Sequence, residues 1–231
     1  MNELKPLHNR AHAGRQLAAA LAHYARDPAA LMLALPRGGV PVGFAAARQL
    51  RLELDILMVR KLGLPGQEEF AMGAIGSGDV RVLRPDILAA FGITDDMLEA
   101  VCSRELLELA RREELFRGSR PPPAIAGHTI ILVDDGLATG STMRAAIEIV
   151  RAGAPGRIVA AAPVGAPETC AALEAHVDEL VCPLRPSSLE AVSKWYDDFT
   201  QVTDQEVQEV LQLAWGRQGD RAQRSHHLPI H

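Results

Sequence analysis

Aromatic residues make up only 4% of this 231-residue sequence, and Ala, Val, Leu and Ile supply most of its 48% apolar content. That balance favours an α/β protein over an all-β sandwich. Three cysteines, Cys102, Cys170 and Cys182, stand far apart with no C-x-x-C pair. Neither a disulfide framework nor a zinc site is suggested, and each reads as a small buried hydrophobe. A basic excess is missing as well: the net charge is -5, which argues against a nucleic-acid partner. No run approaches the length of a membrane span, and Met1 to Arg10 has no apolar core of a signal peptide, so a soluble, cytoplasmic protein without a membrane partner is expected. The dinucleotide fingerprint G-x-G-x-x-G follows no strand, and G-K-[ST] does not occur.

What is present centres on Ile130-Ile131-Leu132-Val133-Asp134-Asp135-Gly136-Leu137-Ala138-Thr139-Gly140-Ser141-Thr142. Four aliphatic residues in a row predict a strand covered on both faces. Two carboxylates follow at its carboxyl end, where open α/β sheets hold ligands. A small-residue loop then leads into a helical pattern, with Met143, Ala146, Ile147, Ile149 and Val150 apolar. Such a loop directs backbone N–H groups and the positive end of a helix dipole at an anion, and Thr139, Ser141 and Thr142 add hydroxyls. The bland alternative is an Asp/Gly turn and a helix capped by Ser141 or Thr142.

Earlier, Arg10 to Tyr24 has helical spacing, and Leu31 to Leu35 reads as a short buried strand. It runs into Pro36-Arg37-Gly38-Gly39-Val40-Pro41 and a helix to about Leu50. Two glycines permit close backbone approach, and Arg37 offers a permanently charged fork for phosphate. Leu52 to Val59 is expected to be one strand ending at Arg60-Lys61. The stretch 62–79, with five glycines, Pro65 and the Glu68-Glu69 pair, reads as a long mobile loop or loose hairpin. Thr94 to Arg117 is a long capped helix, Pro121 to Pro123 a stiff connector, Arg157 to Ala162 a strand, Pro167 to His176 a helix and Asp178 to Cys182 a last short strand. Residues 183–200 change character and gather Trp195, Tyr196 and Phe199. Val202 to Trp215 closes with a helix, and 216–231 reads as a disordered tail whose His226, His227 and His231 are too loosely placed for a metal site.

The central stretch resembles the 5-phosphoribosyl-1-pyrophosphate (PRPP) motif of type I phosphoribosyltransferases. The resemblance extends over about residues 10 to 215, and Leu35 to Gly43, Val59 to Gly63 and Trp195-Tyr196-x-Asp198-Phe199 look like an uncharacterised bacterial branch whose members can occur joined to hydrolase domains. It implies an open, mostly parallel twisted sheet flanked by helices with a small C-terminal hood at about 183–200. In that family the two acids bind the ribose hydroxyls and the loop binds the 5′-phosphate. Carried over, these are Asp134 and Asp135, then Ala138, Thr139, Gly140, Ser141 and Thr142. Arg37 and Gly38 would hold the departing pyrophosphate, with Gly39 giving clearance, and the intervening peptide is often cis. The 62–79 segment would close over PRPP with Lys61 at its base. Arg37, Lys61, Asp134 and Asp135 become the catalytic candidates, and Glu68 and Glu69 more simply surface acids. Trp195 or Tyr196 could stack on an acceptor base, although a core plug is the blander reading.

The resemblance further implies Mg²⁺, with Asp134 and Asp135 as candidate ligands, a nitrogen acceptor resembling a nucleobase, and a homodimer. Hypoxanthine-guanine enzymes place an acid where this chain has Ala138, which argues against a 6-oxopurine acting through that position. The alternative from another class is a non-catalytic PRPP or nucleotide sensor.

Overall fold

The computed structural model describes residues 7–225, with side chains from 7 to 216 apart from residue 69. Asn9 starts the first helix, α1 (Arg10–Ala20), by accepting a hydrogen bond from the His12 N–H at 2.9 Å. The chain then makes a 3₁₀ turn (Ala22–Tyr24) and enters strand β1 (Ala30–Ala34), helix α2 (Gly39–Leu50) and strand β2 (Glu53–Ile56).

Residues 52–59 are not one strand. Leu57 N–H still donates to Ala34 of the first sheet, whereas Met58 exchanges hydrogen bonds with Ser77, through its carbonyl at 3.0 Å and its N–H at 3.1 Å. The chain there passes into a second sheet of β3 (Val59–Leu64), β4 (Gln67–Gly76) and β5 (Val80–Leu83), all antiparallel. The change falls within Ile56 to Val59, an apolar run that carries no mark of it. The 62–79 segment is therefore mostly strand, turning at Pro65-Gly66, where Gly66 takes φ 76°. Its other glycines permit close packing: a Cβ at Gly63 would meet the Glu68 backbone at 2.7 Å.

Helices α3 (Pro85–Ala90) and α4 (Asp95–Arg117) follow, the latter capped by Thr94 as its residues predict. Strand β6 (Thr129–Val133), helix α5 (Ser141–Ala152), strand β7 (Arg157–Ala161), helix α6 (Pro167–Glu174) and strand β8 (Glu179–Val181) complete the main sheet. A 3₁₀ turn (Val192–Trp195) and helix α7 (Asp204–Ser225) end the described chain. α7 thus continues past Trp215; residues 226–231, with the three histidines of the expected tail, lie outside the described residues.

The main sheet is parallel, in the order β2-β1-β6-β7-β8. Alternate residues of β6 serve the two faces: Ile131 and Val133 join the core under α1, α2 and α7, and Ile130 and Leu132 join the core under α5 and α6. From β1 the chain winds outward to β2, and from β6 it winds the opposite way to β7 and β8. The order reverses between β1 and β6, so the chain leads from these two neighbours toward opposite edges of the sheet, and the crevice in which such sheets hold a ligand lies at their carboxyl ends. Register brings the ends level, with Ala34 opposite Val133.

Candidate functional site

The loop after β1 and the loop after β6 meet in that crevice. Leu35 N–H donates to the Val133 carbonyl at 2.9 Å, prolonging the pairing beyond both strands. A Cβ at Gly38 would overlap the Asp135 carboxylate, and one at Gly39 would lie 2.5 Å from the Val133 carbonyl. Only bare backbone fits here, which explains both glycines more specifically than a tight turn does. The cis peptide in this loop is Pro36–Arg37, one bond before the Arg37–Gly38 peptide that the resemblance implies. The Arg37 side chain leans outward to Asp204 at the start of α7, at 3.5 Å and half-exposed.

The β6 loop is pinned from behind. Leu137 exchanges backbone hydrogen bonds with Val164 and Ala166, and Thr169 of α6 donates its hydroxyl to the Ala138 carbonyl at 2.6 Å. Gly140 has φ 68°, a left-handed conformation that lets α5 start abruptly at Ser141. The expected cap by Ser141 or Thr142 is not made: Gly140 is the N-cap, and the nearest side-chain contact is Thr139 Oγ1 at 3.5 Å from the Ser141 N–H. Thr139, Ser141 and Thr142 are exposed. The first-turn amides and the hydroxyls thus face outward at the positive end of a twelve-residue helix.

Between the loops lie the acids. Burial drives the Asp134 carboxyl up to about 8, and the neighbouring Asp135 carboxylate pushes in the same direction. Asp134 Oδ1 also accepts the Asp135 N–H at 2.9 Å. Asp135 is raised by burial too, but a guanidinium opposes the shift: Arg10 Nε donates to Asp135 Oδ2 at 2.8 Å, with both side chains largely buried. Arg10, at the start of α1, is absent from the sequence-derived site, because nothing in its local pattern distinguishes it from an ordinary helical arginine. The Tyr196 hydroxyl donates to the Asp135 carbonyl at 2.6 Å, and Tyr196 is buried. Its ring therefore plugs the floor beneath the acids and is not presented as a stacking face; Trp195 is half-buried beside it.

Lys61 sits within β3, inside the strand and not at its end. With Arg60, Glu68, Ser141 and Thr142 it lines a cleft of about 300 Å³ beside the start of α5. Arg60 itself is committed to Glu105, which it meets through Nε at 2.8 Å. The side chain of Glu69 lies outside the described residues. Among the described residues no group of three or more His, Cys, Asp or Glu side chains could hold a metal.

A doubly wound sheet with two glycine-bearing loops and an acid pair at its switch point defines the class: an α/β protein with a ligand crevice. A family model described as the phosphoribosyl transferase domain matches residues 1–198. The chain belongs to the type I phosphoribosyltransferase family. A Mycobacterium tuberculosis protein provisionally named a phosphoribosyl transferase is 42% identical over 211 residues, 91% of this chain and 47% of the relative. The chain thus spans about half the length of that curated relative. The crystal structure of TT1426 from Thermus thermophilus superposes with a TM-score of 0.82 at 42% identity, over 89% of this chain and 97% of that one. A uracil phosphoribosyltransferase from Nocardioides is 33% identical over 106 residues, 43% of this chain and 50% of that protein. No described helix is long and apolar enough to cross a membrane.

Proposed function

We propose that the crevice binds PRPP and that the protein transfers its 5-phosphoribosyl group to a nitrogen acceptor, releasing pyrophosphate. The observation that carries this reading is the junction of β6 and α5: two acids stand just past the end of the strand, and a few residues on exposed hydroxyls and uncapped amides open the helix. One end suits a 5′-phosphate and the other a sugar diol. Membership of the family supports the same assignment.

The displacement at C1 would pass through an oxocarbenium-like state. Asp134 and Asp135 would orient the ribose hydroxyls. The Gly38 region would approach the pyrophosphate through backbone alone. Arg37 would turn from Asp204 to meet it, and an exposed pair of that kind is worth only about 0–1 kcal/mol, so a doubly charged ligand competes easily. Lys61 would face the phosphates from the hairpin. Losing one preorganised donor of this kind commonly costs about 3 kcal/mol, or 10²-fold in rate.

The acid pair fits Mg²⁺ in a limited sense. Asp135 Oδ2 is taken by Arg10, so the chain supplies at most one or two carboxylates, the number Mg²⁺ uses when substrate phosphates and water complete its shell. Asp134 and Asp135 would hold it, and it would supply neutralisation of pyrophosphate charge.

Calorimetry with Mg·PRPP tests the reading: the wild type should bind, and Asp134→Asn with Asp135→Asn should abolish binding while the fold remains. Equal affinity in the two proteins rejects it. A turnover panel of purines, pyrimidines including uracil, and small amines, read as pyrophosphate release, identifies the acceptor. Tight binding with no release from any acceptor selects the sensor.

A further inference from the structure

Arg10 has no part in the family motif, yet it makes the most elaborate contact in the crevice. Its Nε holds Asp135 Oδ2 at 2.8 Å, its Nη1 donates to the Thr200 carbonyl at 2.8 Å, and its guanidinium lies over the Phe199 ring, 3.9 Å from the centroid. Phe199 in turn packs on Tyr196, ring centroids 4.9 Å apart, and the Tyr196 hydroxyl holds the Asp135 carbonyl. The side chains of Arg10 and Asp135 are 11% and 16% exposed, so the contact is screened little by solvent. The N-terminus of α1 and the segment 195–200 therefore converge on one residue: Arg10 holds the Asp135 carboxylate, and the segment holds the Asp135 carbonyl and the guanidinium itself. The same carboxylate fills the space in which a Cβ at Gly38 would stand.

We infer that Arg10 is a positioning residue: it fixes the Asp135 carboxylate for a sugar hydroxyl and couples that carboxylate to the hood through Phe199 and Thr200. The inference rests on the PRPP reading of the crevice and deepens it. A carboxylate has two oxygens; with Oδ2 held by Arg10, Oδ1 is left for the hydroxyl, and the rotamer is set before the ligand arrives. The guanidinium cannot follow the ligand away, because the ring beneath it and the Thr200 carbonyl hold it in place. Movement of the 195–200 segment is then transmitted to the ribose acid without a contact between hood and sugar.

The test compares ribose 5-phosphate with its 2,3-dideoxy counterpart, which keeps the phosphate and lacks the diol. The wild type should prefer the diol by about tenfold or more, as hydrogen bonds to a charged acceptor do. Arg10→Ala should reduce that preference below about threefold while leaving affinity for the dideoxy compound unchanged, and Arg10→Lys, which keeps the charge, should recover part of it. Phe199→Leu, which removes only the stack, should give an intermediate preference and serves if Arg10→Ala does not fold. An undiminished preference in Arg10→Ala or, should that variant not fold, in Phe199→Leu overturns the inference, and so does a parallel fall for both compounds, the mark of a purely structural arginine. A wild type that binds neither compound overturns the PRPP reading itself.

Discussion

Asp134 is where the cost of the site is concentrated. An acid whose carboxyl is pushed up to about 8 binds a proton in the native protein between about pH 4 and 8, where the unfolded chain does not. Stability from this group is therefore present at low pH and declines as pH rises through that window, the reverse of a salt-bridged aspartate. Asp134→Asn should raise Tm by about 2–4 °C at pH 8, equivalent to about 1 kcal/mol, with the gain vanishing near pH 4. Scanning calorimetry across that range checks it; a gain that grows on acidification would contradict the assignment. Because sugar hydroxyls prefer the ionised form, affinity for PRPP should rise with pH up to about 8 and then level off, with proton release measurable from the buffer dependence of the binding heat.

The decisive element is the junction of β6 and α5. Gly140 supports it twice, by its φ of 68° and because a Cβ there would lie 2.6 Å from Thr169 Cγ2, on the residue that pins the Ala138 carbonyl. Gly140→Ala should cost about 1–2 kcal/mol and weaken binding of a 5′-phosphate by at least about tenfold, since the loop amides lose their aim. A phosphomonoester titration followed by intrinsic fluorescence reads the affinity and urea unfolding of the same variant reads the stability; unaltered affinity would show that the amides do not meet the phosphate. The antiparallel β3–β4 hairpin is the second such element, because it carries Lys61 to the cleft beside Ser141 and Thr142.

Across the whole molecule, α4 is tied to the main sheet by a buried ion pair. Arg117, at the end of α4, donates to Asp55 of β2 at 2.8 Å and to the Ile56 carbonyl at 2.7 Å, with both side chains under 10% exposed. Burial raises the Asp55 carboxyl, and Arg117 opposes the shift. Removing Arg117 leaves the buried Asp55 carboxylate only the more exposed Arg120, 3.7 Å away, so Arg117→Met should destabilise by about 3 kcal/mol and lower Tm by roughly 10 °C. Adding Asp55→Leu to that variant should recover part of the loss, because an apolar pair of similar volume avoids desolvating charge. Chemical denaturation of the three variants measures both terms, and a double variant no better than Arg117→Met would show that the pair is not what holds α4 to the sheet.

Local pattern alone determined a good deal about this protein: the buried strands β1 and β6, the capped α4, the two loops with their glycines and acids, and the parallel α/β class. These signals are written within about a dozen contiguous residues, where periodicity, caps and turn chemistry act. Folding in three dimensions decided the rest. It moved 52–59 into two different sheets, turned glycine-rich 62–79 into paired strands, and directed Tyr196 beneath the acids as a plug. It also brought Arg10 onto Asp135 across 125 residues of chain. The physical reason is range: a hydrogen bond between distant side chains leaves no trace in the residues around either partner, and only the packed sheet, by bringing the ends of β1 and β6 level, brings them within reach of one another.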